Sequence, residues 1–112
     1  ITIPEMFEGG FEGILKEMKE VIADTPCFLT FDIDFVDPSC APGTGTLEVG
    51  GYNSMETLKM IRSLTDFNFI GFDVVEVLPS YDPTQITSLL AATLVHEFAS
   101  LATLQIKKEN SK

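Results

Sequence analysis

Two aspartates one residue apart, Asp32 and Asp34, close an apolar run and open a proline- and glycine-rich loop that continues to Thr46. Read as a strand, side chains at i and i+2 share a face. That places the two carboxylates together, with Cα atoms about 6.6 Å apart, and leaves Leu29, Phe31, Ile33 and Phe35 on the other face. Two carboxylates so close beside an apolar layer repel and are poorly solvated; they need a shared proton or a bound cation. Oxygen-only donors suit hard or borderline ions such as Mg²⁺ or Mn²⁺. The competing use is structural, with Asp side chains bonding the backbone N–H groups of the loop.

Other residues offer chemistry with less weight. Glu76 stands near the end of a second apolar run, where a carboxylate needs a partner. Arg62 is the one arginine in the chain, and a cationic ligand is its rival for that role. Asp37 precedes Pro38, a pairing that starts turns. Thr44 and Thr46 lie in a loop whose hydroxyls face a ligand or, more commonly, make turn bonds. Asp73 reads as a hydrogen-bonding support. His96, the only histidine, has no second histidine beside it and reads as packing or surface. Tyr81 and Phe98 read as core or loop packing.

These residues are positioned by a simple order of elements. Residues 1–10 read as loop. Phe11, Ile14, Leu15, Met18, Val21 and Ile22 follow the helical period, which predicts an amphipathic helix over 11–23. Asp24, Thr25 and Pro26 end it. A strand is expected at 27–35 and a long loop at 36–53. Asn53 or Ser54 caps the next helix, Glu56 completes a capping box from Asn53, and Met55, Leu58, Ile61 and Leu64 form its buried stripe. Residues 69–77 read as a second strand. Asp82 as N-cap, Pro83 and Gln85 start a last helix that runs to about 106, and the tail from Lys107 is expected to fray.

The order α-β-α-β-α implies right-handed crossovers and two adjacent parallel strands, an α/β arrangement. The near-continuous apolar character of both runs predicts helices on both faces of the sheet. Two strands make a poor sheet alone, so the chain reads as the end of a larger doubly wound domain. In such sheets sites form at the carboxyl ends of strands, where Asp32, Asp34 and Glu76 all fall.

Composition bounds the partners. A chain of 112 residues allows one domain at most. Seventeen acids against seven bases give a net charge of −10. That argues against nucleic acid and anionic membrane surfaces, and suits metal ions or a cationic substrate. Cys27 and Cys40 match no common zinc or redox spacing, so free thiols in a reducing cytosol are expected. No signal peptide is evident, and no apolar run is expected to reach the ~20 residues that span a bilayer. A start at Ile1 rather than Met is expected of a fragment, a processed product or a chain with residues upstream.

Together Asp32-Ile33-Asp34-Phe35-Val36-Asp37-Pro38, Ala41 to Thr46, Gly50-Gly51, and Phe72-Asp73-Val74-Val75-Glu76-Val77 resemble the carboxyl-terminal part of the ureohydrolases. These are the agmatinases, arginases and formimidoylglutamases. The wording at 35–36 and 41–46 is most similar to the agmatinase branch, and the match spans residues 11–106. The resemblance implies a three-layer α/β/α fold with a mainly parallel sheet. Residues 1–112 would then be a single segment, the carboxyl-terminal part of a ureohydrolase-like domain whose upstream part is absent. It also implies a binuclear Mn²⁺ site. In it Asp32 would bridge both ions, and Asp34 would bind one and help a proton to the departing amine. Thr46 would lie near the substrate and Glu76 would receive its guanidinium group. Urea would be released from a small guanidino compound. A cytoplasmic place in polyamine metabolism is expected, with a homo-oligomeric complete protein and no membrane or nucleic-acid partner.

The family's upstream Gly-Gly-x-His and Asp-Ala-His-x-Asp segments are missing from this sequence, and His96 matches neither. The chain therefore supplies part of the metal set, Asp32 and Asp34, and reads as a fragment inactive alone or a truncated relative. Two rivals stand. One is a haloacid dehalogenase-like, Mg²⁺-dependent phosphatase using Asp32 as nucleophile; the loop at 42–46 fits it poorly. The other is a non-catalytic assembly module.

Overall fold

The computed structural model describes residues 2–112. In chain order it contains α1 (Ile3–Ile22), β1 (Cys27–Asp32), α2 (Ser54–Arg62), β2 (Phe69–Val75) and α3 (Ile86–Asn110). Short 3₁₀ turns occupy Ile33–Phe35 and Pro79–Tyr81. β1 and β2 are hydrogen-bonded neighbours and run parallel, with Asp32 opposite Val75. Parallel neighbours require a crossover, and α2 supplies it.

The first ten residues are not loop. Thr2 and Glu5 form a reciprocal capping box, Pro4 sits in the first turn, and the helix starts at Ile3. Gly10, at φ +67°, then breaks the helical backbone and kinks α1, a conformation that costs glycine nothing. The sequence pattern from Phe11 onward is therefore the second limb of a longer helix. Asn53 caps α2 as expected, with Glu56 completing its box. At the other end of the chain Lys107 to Asn110 continue α3 rather than fraying.

The core lies between one face of the sheet and the helices. Phe31, Ile33, Ile61, Leu64, Phe67, Leu94 and Phe98 are among its buried members, and Leu15, Met18 and Ile22 of α1 pack against it. Phe98 stacks on Phe72 at 5.1 Å. Lys19 of α1 and Lys108 of α3 both bond Asp66, which ties these two helices to the turn between α2 and β2 at the amino-terminal end of the strands. The expectation of helices on both faces is not met within this chain. Phe28 is 56% and Ile70 71% exposed, so the opposite sheet face is open.

Some packing assignments also change. Met55, Val21 and Tyr81 are exposed, whereas Phe98 is buried as expected. His96 lies on the exposed side of α3. Cys27 and Cys40 are unpaired thiols, and burial raises the Cys27 thiol above its usual range. α3 meets the length and apolarity of a membrane span, with a mean hydropathy of 1.4, which corrects the expectation that no stretch does. One stripe of it, Leu90, Leu94, Phe98 and Leu101, is buried, while Leu89, Val95 and Ile106 stay exposed.

Candidate functional site

The carboxyl ends of β1 and β2 carry the acidic residues, but by different local geometry from simple strand alternation. β1 stops at Asp32, and Ile33–Phe35 turn as a 3₁₀ helix. Asp32 caps that turn: its Oδ1 accepts the Asp34 N–H at 3.1 Å. The i, i+2 argument thus fails beyond Asp32. The tight turn nonetheless holds the two carboxylates close, while Ile33 points into the core, fully buried. The capping use and the clustering of carboxylates coexist, since one oxygen of Asp32 serves the turn and the other is uncommitted in the described bonds.

Asp34 shows the strain of the arrangement. Its carboxyl is pushed above the ordinary carboxylate range, first by loss of water, then by the Asp32 charge and hydrogen bond, and further by Glu76 and Glu48. Like charges disfavour ionisation of a neighbour, and a cation reverses that. The donor set, carboxylate oxygens crowded at a strand end, suits a hard divalent ion. Among the described residues no group of three or more His, Cys, Asp or Glu is assembled tightly enough to hold one. Asp32 and Asp34 are therefore a partial set, with Glu76 and Glu48 acting on Asp34 more weakly through their charge. Glu48 is a residue that sequence reasoning missed; its only signal was an acid two residues beyond Thr46.

Glu76 ends β2 with φ at +64°. A left-handed backbone at a non-glycine residue costs free energy and clusters at functional positions. It also explains why the strand stops at Val75 rather than at 77: the next residue leaves the extended conformation. Arg62 is not its partner. Both guanidinium contacts of Arg62 go to Glu97, at 2.9 and 2.6 Å. Asp73 is exposed, opposite Thr30.

The loop at 36–53 is held as a rigid arm. Asp37 Oδ1 accepts from the Ser39 N–H and Oδ2 from the Gly50 N–H, each at 2.9 Å, which confirms its structural role. Gly51 passes so close to the chain before it that a Cβ would lie 2.5 Å from the Phe35 carbonyl oxygen. Thr44 is 3% exposed, and its hydroxyl has no partner among the described residues. Thr46 is exposed, and no described hydrogen bond joins it to Asp32, Asp34 or Glu76. The link is indirect: the Leu78 N–H donates to the Gly43 carbonyl at 2.8 Å, joining the arm that bears Thr46 to the segment that bears Glu76.

Asp82 is 2% exposed and was expected as the N-cap of the last helix. The helix begins later, with Gln85 at the cap position and no side-chain bond from it. Asp82 still satisfies the donors there. Its Oδ2 accepts the Thr87 N–H at 2.7 Å and the Thr87 hydroxyl at 2.8 Å, and its Oδ1 accepts from Thr84. These bonds lower its carboxyl from 3.8 to about 2. A depressed native value adds stability above the unfolded value, and that stability is lost as pH falls through the folded one. The stability gap between wild type and Asp82→Asn is therefore full above 3.8 and closes toward pH 2. Denaturant midpoints measured across that range check it; a gap that stays constant would contradict it.

The described clefts lie elsewhere. One of about 340 Å³, bordered by Asp24, Asp66, Asn68 and Gln105, is at the amino-terminal end of the strands. Another, between α1 and α2, is bordered by Phe7, Phe11, Tyr52 and Lys59. The acidic end is a shelf on which Asp32 and Asp34 are half-buried and Glu48 and Glu76 exposed.

Comparison with known proteins bears on the fold and the family. The model of the arginase family matches residues 1–100. An agmatinase of Salmonella paratyphi B is 51% identical over 88 residues, which covers 79% of this chain and 29% of that protein. Among solved structures, a hypothetical agmatinase from Burkholderia thailandensis superposes with a TM-score of 0.84 at 38% identity, over 96% of this chain and 34% of that one. Proclavaminate amidino hydrolase from Streptomyces clavuligerus gives 0.80 at 42% identity, over 87% of this chain and 33% of that one. The chain thus spans less than a third of the length of the curated relatives it matches. The fold of these neighbours is the three-layer α/β/α arrangement, of which the two parallel strands and their helices are one portion. A family match across almost the whole chain, and a shared backbone from the kinked helix to α3, make this protein a member of the arginase family.

Proposed function

We propose that these residues form the carboxyl-terminal part of an agmatinase-like, manganese-dependent ureohydrolase, and that they are inactive on their own. The observation that carries this is the convergence of Asp32, Asp34 and a strained Glu76 at the ends of two parallel strands. Glu76 is exposed rather than buried, and Arg62, paired with Glu97, leaves it open to a cationic ligand. Similarity to agmatinases supports the reaction class. The reading brings with it two Mn²⁺ ions, a guanidino substrate, a cytoplasmic place in polyamine metabolism and a homo-oligomeric complete protein.

In this reading Asp32 and Asp34 are the metal-holding carboxylates of the chain. Bound metal supplies Lewis acidity and makes water nucleophilic near neutral pH. Glu76 pairs with the guanidinium, whose planar fork matches a carboxylate bidentately. It thereby fixes the carbon to be attacked over the Asp32–Asp34 shelf. Thr46, on the arm joined to the Glu76 segment, borders the substrate. Asp34, by the family resemblance, helps pass a proton to the departing amine. The phosphatase alternative finds no support among the relatives, which are agmatinases and other members of the arginase family.

The test is a substrate panel on the complete protein with Mn²⁺: agmatine, arginine, formimidoylglutamate and a phosphate ester. Urea from agmatine with the highest kcat/KM is the expected result. Phosphate release, or urea from none of the compounds, would overturn the reading.

A further inference from the structure

One buried carboxylate, Asp82, has no part in the chemistry above, yet it lies at the junction of every segment that brings substrate contacts to the shelf. Three segments meet there. The arm after β1 carries Thr46 and crosses the junction at Gly43. The segment after β2 carries Glu76 and crosses at Leu78. The amino-terminal turn of α3 brings Thr87. Gly43 is gripped from two sides: its N–H donates to the Thr87 hydroxyl oxygen at 2.8 Å, and its carbonyl accepts the Leu78 N–H at 2.8 Å. The Thr87 hydroxyl spends its own proton on Asp82. That donation fixes the hydroxyl's orientation and turns its lone pair toward Gly43. The fit leaves no slack, because a Cβ on Gly43 would lie 2.8 Å from the Asp82 Cβ and 2.9 Å from the Thr87 Oγ1.

We infer that Asp82 is a positioning residue for substrate binding, acting through the Thr87 hydroxyl to hold Gly43 and hence the spacing between Thr46 and Glu76. The inference rests on the ureohydrolase reading for the identity of the substrate. Several features favour positioning over simple helix capping. A cap needs only the backbone N–H of Thr87, which Asp82 already takes. The second bond, to the Thr87 hydroxyl, satisfies no backbone donor of the helix; it orients the oxygen that the Gly43 N–H meets on the arm. Thr87 is fully buried and Asp82 nearly so, so water does not compete for these bonds and their geometry is fixed. Asp32 and Asp34 lie outside the junction, on the turn that follows β1. Disturbing it therefore separates substrate capture from metal content.

The experiment uses the complete protein. Thr87→Val keeps the volume but removes the hydroxyl, and Thr87→Ser restores it. Loss of one oriented hydrogen bond is expected to raise KM for agmatine about ten-fold, with kcat within about two-fold and manganese content unchanged. Thr87→Ser is expected to return KM to the wild-type value. A lower thermal midpoint with unchanged KM would assign the pair a merely structural role and overturn the inference. Residue-resolved hydrogen exchange on the wild type provides a measurement that needs no variant to fold. The Gly43 and Leu78 amides are expected to exchange slowly and together; rapid exchange at Gly43 in the folded protein would also overturn it. Absence of urea from the wild type would instead refute the function itself, so the two failures are distinguishable.

Discussion

Asp32→Asn is expected to strip most of the manganese from the complete protein and to cut urea release by about a thousand-fold, roughly 4 kcal/mol of transition-state stabilisation. The substitution is a clean one for a structural reason. Asp32 also caps the Asp34 N–H, and an asparagine side-chain carbonyl can accept that same bond. The turn at Ile33–Phe35 therefore survives, and the loss reports the missing charge. Metal analysis after dialysis, alongside the urea assay, measures both effects. Full manganese occupancy in Asp32→Asn and in Asp34→Asn alike would remove these carboxylates from the metal set.

Glu76→Gln is expected to act on the substrate alone. Removing the charge from a carboxylate–guanidinium pair leaves a weaker neutral contact, and kcat/KM should fall about a hundred-fold, roughly 3 kcal/mol. Manganese content should stay at the wild-type level, because Glu76 lies outside the Asp32–Asp34 pair. The backbone does not confound the comparison, since Gln bears the left-handed φ of +64° no worse than Glu. Kinetics at low substrate read the effect directly. Unchanged turnover there would mean that the guanidinium binds elsewhere.

The sequence carried the parallel pairing of the two strands, because strands alternating with helices leave few topologies. The Asn53 box was equally legible, because its donors and acceptors are local. Reading became less secure where tertiary contact decides. Asp32 and Asp34 were expected together on a strand face, and they are together, but because a side-chain bond tightens the backbone into a turn. The ends of both strands were read past the point where the chain changes conformation, at Ile33 and at Glu76. Neither residue type announces that change. The cover expected on both sheet faces is found on one only, since apolar pattern does not say what packs there and Phe28 and Ile70 are exposed. Glu48 and the Asp82–Thr87–Gly43 junction connect residues far apart in sequence, and no periodicity marks them.

The central claim is that this chain provides the substrate-binding carboxylate and part of the metal set of a guanidino hydrolase. The most direct test is one side-by-side assay of the complete protein and the isolated 112-residue segment, each with saturating Mn²⁺ and agmatine. Catalytic metals generally keep about three protein ligands each, more than Asp32 and Asp34 can offer. The account predicts urea and free amine in equal amounts from the complete protein and none from the segment. Folded, manganese-loaded complete protein that yields no urea would contradict the account, as would robust turnover by the monomeric segment.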